Sequence, residues 1–176
     1  ASGGSLTTPV SINQGGTFSL ATGGTLNSPA TVNAGGNFIF SGGSMNSSLS
    51  NAGTVTLNSP STVNGNYAQT GNLMLGMVDK ETYGQLVATG NITLSGGLTI
   101  NLLNELGTSL RDGDTFTVVK TTGGTITYNT LTVTQTGYSN ALLKFLVENP
   151  TPQLIQLKAS RTEIFNTLPP DEMAYL

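Results

Sequence analysis

Residues 1–78 contain no Asp, Glu, Lys, Arg or His, and they repeat. A segment this free of charge stays in solution only if its backbone polar groups are paired internally, and it has no side chain suited to ordinary acid–base chemistry. One short phrase shows how it is organised. It reads Pro9-Val-Ser-Ile-Asn-Gln-Gly-Gly-Thr-Phe18, then Pro29-Ala-Thr-Val-Asn-Ala-Gly-Gly-Asn-Phe38, then a shortened Pro60-Ser-Thr-Val-Asn-Gly-Asn-Tyr67, with a weaker copy in Asn51-Ala-Gly-Thr-Val55. The first two copies begin 20 residues apart, and a period of about 20 to 30 residues marks a stacked solenoid. A structural or adhesive shaft is therefore expected before an enzyme.

Two sets of glycine pairs fix the corners. Gly3-Gly4, Gly23-Gly24 and Gly42-Gly43 form one set, Gly15-Gly16 and Gly35-Gly36 the other. Glycine supplies the positive φ that tight corners need. Between corners lie alternating runs such as Thr17-Phe18-Ser19-Leu20, Asn37-Phe38-Ile39-Phe40 and Thr54-Val55-Thr56-Leu57. Period-2 alternation sends Phe18 and Leu20 to one face, and Thr17 and Ser19 to the other. Asn13, Asn33, Asn51 and Asn64 recur at or near corners. Stacked amides can hydrogen-bond along such a shaft; alternatively, each Asn simply tolerates left-handed turn geometry, and both can hold at once.

The texture changes at Asp79-Lys80-Glu81. Strands beyond it are expected to be longer: 85–89, 91–94, 97–103, 115–120, 125–134, 141–147 and 153–158. They are separated by turn signals at Gly90, Gly96-Gly97, Asp112-Gly113-Asp114 and Gly123-Gly124. Ser160-Arg-Thr-Glu163 has capping-box spacing, and Pro169-Pro170 would end a helix soon after.

The expectation is an all-β chain, a right-handed parallel β-helix (solenoid) with a C-terminal capping region. Residues 1–75 would be charge-free repeats, 76–159 a C-terminal cap, and 160–176 a short helix or tail. About nine coils at about 4.8 Å each would make a shaft roughly 40 to 45 Å long. The core would fall on Phe18, Phe38, Ile39, Val55, Val63, Leu86, Val87, Ile92, Leu94, Leu98, Ile100, Phe116 and Val118.

The segment from Gly65 to about Gly124 resembles the C-terminal passenger region of bacterial autotransporters (type V secretion). The resemblance is carried by Gly65-Asn-Tyr-Ala-Gln-Thr-Gly-Asn-Leu-Met-Leu75, by Tyr83-Gly-Gln-Leu-Val-Ala-Thr-Gly-Asn-Ile-Thr-Leu-Ser-Gly-Gly-Leu-Thr-Ile100 and by Asp112-Gly-Asp-Thr-Phe-Thr-Val-Val-Lys120. These match, in order and spacing, the family's Asn-Tyr-x-Gln-x-x-x-x-Leu, Tyr-x-x-Leu-x-Val-x-Gly, Gly-Gly-Leu and Gly-Asp-x-Phe-x-Val phrases. The resemblance implies a right-handed parallel β-helix on a Gram-negative cell surface, reached through periplasm and outer membrane. It also implies that residues 65 to about 160 initiate folding as an autochaperone cap, and that the partner is a cognate outer-membrane translocator barrel. The membrane barrel that follows such passengers is missing here, and no protease module is visible.

Composition narrows the chemistry further. With no cysteine and no histidine, disulfides, thiolate sites, the commonest general base and the commonest metal ligand are all excluded. Net charge is −3, all of it from residues 79–176, with no basic patch, so nucleic acid is not an expected partner. No apolar run approaches the length of a membrane-spanning helix. Asp79 and Glu81 are near enough for a glycosidase pair, and Asp112 and Asp114 offer oxygens to calcium. A solvated loop and a plain turn are the simpler readings. A polysaccharide lyase on this fold needs clustered carboxylates and basic residues, and the six basic residues are scattered. Phe18, Phe38 and Tyr67 would stack sugars if exposed, but once per coil after a corner they read as an internal stack. Asn46-Ser-Ser48 and Asn91-Ile-Thr93 fit the glycosylation acceptor pattern. Rows of outward Thr, Ser and Asn suit solubility without charge, self-association, a host glycan or protein, or an ice lattice. The functional expectation is a non-enzymatic surface stalk that initiates folding and supports adhesion or self-association. It has no catalytic, cofactor or metal residues; the alternative is a carbohydrate-binding or glycan-cleaving β-helix.

Overall fold

A computed structural model describes residues 3–104, 110–138 and 143–161, without the side chains of Thr130 and Arg161. The described chain is all β, with no helix, and its strands run parallel in a nearly closed, solenoid-like stack. The first rung is β1 (Ser5–Leu6), β2 (Val10–Ile12) and β3 (Thr17–Ala21). The second is β4 (Thr25–Leu26), β5 (Ala30–Val32) and β6 (Asn37–Ser41). The third is β7 (Ser44–Met45), β8 (Leu49–Asn51) and β9 (Thr54–Leu57). The fourth is β10 (Pro60–Val63), β11 (Tyr67–Gln69) and β12 (Asn72–Met77). In the fifth rung β13 (Gln85–Ala88) is followed by β14 (Ile92–Leu102), and in the sixth β15 (Thr115–Thr121) by β16 (Ile126–Gly137). A hairpin of β17 (Leu143–Thr151) and β18 (Leu154–Arg161) follows.

Through the first four rungs every third strand pairs, and beyond them β12 pairs with β14, β13 with β15 and β14 with β16, so that three ladders form. Leu6, Leu26, Met45 and Val63 align on the first. Val10, Ala30, Leu49, Tyr67, Ile92 and Ile126 align on the second. Phe18, Phe38, Val55, Leu73, Leu98 and Val133 align on the third. Because side chains alternate along each strand, these columns face one shared core. Phe38, Val55 and Val63 are fully buried. β14 is long because it runs through a corner. Its first half pairs with β11, its second half with β12, and a bulge between Leu94 and Gly96 makes the bend. Gly96 sits there at φ +87°, where a side chain would strain the backbone.

The stack differs from expectation in several respects. It has six rungs among the described residues rather than nine, about 24 Å of strand stacking at about 4.8 Å per step. The early rungs repeat every 18 to 20 residues, as in Leu6 to Leu26 and Tyr67 to Leu49. Tyr67 to Ile92, by contrast, spans 25 and Leu98 to Val133 spans 35. Fewer, larger turns therefore use up the second half. Gly96-Gly97 is a bend inside a strand, not a break. Ile39 and Val87 alternate with buried neighbours and lie on the outer side, half-buried. Phe18 is half-buried, because no described rung covers β3 on its far side. The remaining expected core residues are buried. Ser160 and Arg161 belong to β18, and the rest of the expected terminal helix lies outside the described residues.

The first ladder changes direction at its end. β15 is parallel to β13 but antiparallel to β18, which is antiparallel to β17. The hairpin buries Leu143, Phe145, Ile155 and Leu157 against the core, and Phe145 meets Phe116 edge-on at 6.1 Å.

Two substitutions test this packing. Leu98→Asp places a charge at a position 2% exposed and should cost on the order of 4 kcal/mol or more, visible as loss of the β signal in circular dichroism. Gly71→Ala would bring its Cβ to 2.2 Å from the Gly53 carbonyl oxygen, a backbone atom of the rung below. It should lower stability in urea by about 1–3 kcal/mol, whereas outward Ser50→Ala should change it by less than about 0.5 kcal/mol.

Candidate functional site

The corners carry amide ladders, but not in the order that the repeats suggest. Asn33 Nδ2 donates to Asn13 Oδ1 at 2.8 Å, as expected. Asn64 instead donates to Asn46 (2.8 Å), which donates to Asn27 (2.8 Å), which donates to Ser5 Oγ (2.9 Å). The cause is register. Pro60 lies in β10 on the first ladder, whereas Pro9 and Pro29 precede strands of the second. The third copy of the phrase thus sits one face away from the first two. Among the described residues every positive φ belongs to glycine, so left-handed geometry does not explain these asparagines. In the corner Asn33-Ala-Gly-Gly36 the Gly36 N–H donates to the Asn33 carbonyl at 2.8 Å and Gly35 carries φ +76°, the pattern of a type II turn. The asparagines contribute the bonds along the stack.

Asn51 does something else. It stands in the inward column Ile12, Val32, Asn51, Gln69, Leu94, so two polar side chains enter an otherwise apolar core. Asn51 Nδ2 donates to the Asn72 carbonyl at 2.9 Å and to Tyr67 Oη at 3.2 Å. Tyr67 Oη donates to Gln69 Oε1 at 3.0 Å, and Gln69 Nε2 donates to the Gly97 carbonyl at 2.8 Å. This network ties the second ladder to the corner where β14 bends. Asn51 Oδ1 is buried without a partner among the described residues. Burial pushes the Tyr67 hydroxyl far above its ordinary pKa, and the Asn51 hydrogen bond offsets part of that. Tyr67 is therefore core, as expected, but it belongs to this polar network. The ring stack is Phe18, Phe38 and Phe40, with centroids 5.4 and 4.8 Å apart.

The acidic candidates are engaged locally. Asp79 Oδ1 accepts the N–H groups of Thr82 (2.5 Å) and Glu81 (2.9 Å); its carboxyl is held below the usual range chiefly by a hydrogen bond from the Thr82 side chain, with these backbone bonds adding to it. Asp114 Oδ2 pairs with Lys80 Nζ at 2.6 Å and accepts the Arg111 N–H at 2.6 Å, and it too is lowered, Lys80 being the main cause. The ion pair links the Asp79 loop to the turn before β15. Asp79 Oδ1 thus closes its own loop. No group of three or more metal-ligating side chains occurs among the described residues.

Outward positions on the second ladder read Ser11, Thr31, Ser50, Ala68, Thr93 and Thr127. On the third they are mixed: Ser19, Ile39, Thr56, Met74, Thr99 and Thr134. Several bond along the stack, as Thr99 does to Thr134 at 2.9 Å and to Asn72 Oδ1 at 3.1 Å. Asn46 and Asn91, of the two glycosylation-type triplets, likewise accept hydrogen bonds, Asn46 from Asn64 and Asn91 from the Thr125 N–H.

No family model, curated protein or solved structure matches this chain. Its chemistry is thus read from the arrangement alone: amide and hydroxyl rows that hold rungs in register, one buried polar network, and one loop-to-turn ion pair.

Sequence reasoning missed the Asn51–Tyr67–Gln69 network. Its only signal was that Asn51 and Gln69 occupy positions where earlier rungs have Ile12 and Val32.

Two predictions follow from the electrostatics. Tyr67→Phe strips a partner from both Asn51 and Gln69 and should cost about 1–3 kcal/mol in chemical unfolding. Because the folded pKa of Tyr67 is raised, its contribution is complete below about pH 10 and lost as pH rises further; its phenolate absorbance should therefore appear only with alkaline unfolding. Asp79 and Asp114 have lowered folded values, so their contribution is present above about pH 4 and lost as pH falls through those values. The protection of the Glu81 and Thr82 amides, measured relative to the intrinsic exchange rate at each pH, should fall as Asp79 protonates.

Proposed function

We propose that this chain is a non-enzymatic stalk of the autotransporter passenger type, a right-handed parallel β-helix on a Gram-negative surface that holds an adhesive or self-associating region away from the membrane. The observation that carries the proposal is the three-ladder parallel stack running from an uncharged first half into a charged, longer-stranded second half. The β17–β18 hairpin supports a capping role for residues 76–159, since it ends the first ladder with an antiparallel pair and buries Leu143 and Leu157 over the core. Parallel edges otherwise remain open to further pairing. In a stack, each rung is stabilised mainly by its neighbours. The longest pairing, ten residue pairs between β14 and β16, is therefore the natural start. Rungs then add toward β1 by short loop closures, which would let folding at the surface draw the rest of the chain outward through a translocator barrel. No residue is assigned a catalytic role.

Separate production of residues 65–176 and 1–64 tests this order. The first piece should show cooperative urea unfolding alone and the second should stay unfolded until joined to it. A folded 1–64 piece beside an unfolded 65–176 piece would reverse the direction and remove the stalk-initiation role.

A further inference from the structure

A groove of about 480 Å³ lies on the outer side of the first ladder, where β13 and β15 meet the turn between β17 and β18, lined by Tyr83, Gln85, Thr117, Lys120, Thr151 and Gln153 together with Leu154. It is the size of a site for a small ligand. It lies beside an irregularity in β15, whose register with β18 shifts between Thr117 and Val119, the kind of place where a strand bends locally. The groove mixes a phenol, an ammonium group, two amides and two threonine hydroxyls, with no carboxylate among its lining residues.

The polar groups are mostly donors. Lys80 and Lys158 are each paired, with Asp114 and Glu148, while Lys120 is exposed and has no ion-pair partner among the described residues. The Thr117 hydroxyl accepts from Gln156 Nε2 at 3.3 Å, and the Thr151 hydroxyl accepts the Gln153 N–H at 3.4 Å, so each keeps its own proton to donate. Gln85 Nε2 is committed to the Thr117 carbonyl at 2.7 Å, which holds its amide in place and leaves its oxygen as an acceptor. The Tyr83 ring is fixed by an edge contact with Phe116, centroids 5.6 Å apart at 88°.

We propose that this groove binds a carboxylated saccharide, with the sugar ring against Tyr83 and its carboxylate on Lys120 and the threonine hydroxyls. Fixed donors and one unpaired cation favour an anionic oxygen cluster. The aromatic wall and the groove's size favour a ring over a bare anion. The site would give the shaft a ligand-binding function beyond display.

Titration of the full chain with digalacturonate or sialyllactose, followed by amide NMR shifts, tests this, with cellobiose, lactose and acetate as controls. Shifts should cluster at Thr117, Lys120 and Gln153 for the acidic sugars. Lys120→Gln should weaken binding about tenfold or more with the melting temperature unchanged. Tyr83→Phe should keep binding and Tyr83→Leu should lose it. Absence of shifts at millimolar probe would overturn the site. So would equal shifts with the neutral sugars, or equal shifts with acetate that mark a carboxylate contact only. Because the probe is added to the folded protein, failure here leaves the fragment-folding test of the stalk reading untouched.

Discussion

The backbone hydrogen bond from one rung to the next is the interaction on which the remainder depends. Asn37 N–H donates to the Gly16 carbonyl (2.9 Å), Thr54 to Gly36 (3.0 Å) and Asn72 to Gly53 (2.8 Å), so the third-face corners are linked from the first rung to the fourth. With no charge in residues 1–78, side chains offer little electrostatic preference for register. Register is set instead by backbone pairing, by inward apolar columns that lose their burial on a one-residue slip, and by amides at the corners. Each bond is modest, about 1 kcal/mol net, and the repetition makes the stack.

The same constraint explains the glycines. Successive corners approach so closely that a Cβ at Gly71 would collide with Gly53. Glycine there is required by proximity, and at Gly96 by the left-handed bend that lets β14 serve two ladders. Beyond Asp79 the turns lengthen and charges appear, and the ion pair between Lys80 and Asp114 joins the asparagine bonds, such as the Thr125 N–H to Asn91, as a tie between segments.

Much of this was legible in the sequence. The 20-residue spacing, the alternation of Phe18 and Leu20 with Thr17 and Ser19, and the longer strands after residue 84 all follow from local patterning. What misled was phrase similarity without register. Pro60-Ser-Thr-Val-Asn64 looks like Pro29-Ala-Thr-Val-Asn33, yet it lies on another face, because it begins 31 residues after its predecessor, which is not a whole number of 18- to 20-residue turns: pairing puts Tyr67, not Ser61, two rungs beyond Ala30. Inward polar residues were invisible for a related reason. Asn51 reads as one more corner asparagine until pairing places it opposite Val32. The outer groove lies beside a register shift between β15 and β18, two strands far apart in sequence, so neither Lys120 nor Tyr83 stood out.

The central claim is that the first four rungs pair in parallel, three strands apart, in the register described. Scalar couplings across hydrogen bonds measure it most directly, from the amide nitrogens of Asn37, Thr54 and Asn72 to carbonyl carbons. Couplings to Gly16, Gly36 and Gly53 respectively are predicted. Couplings between sequence-adjacent strands, as in hairpins such as β2 with β3, would contradict the stacked arrangement.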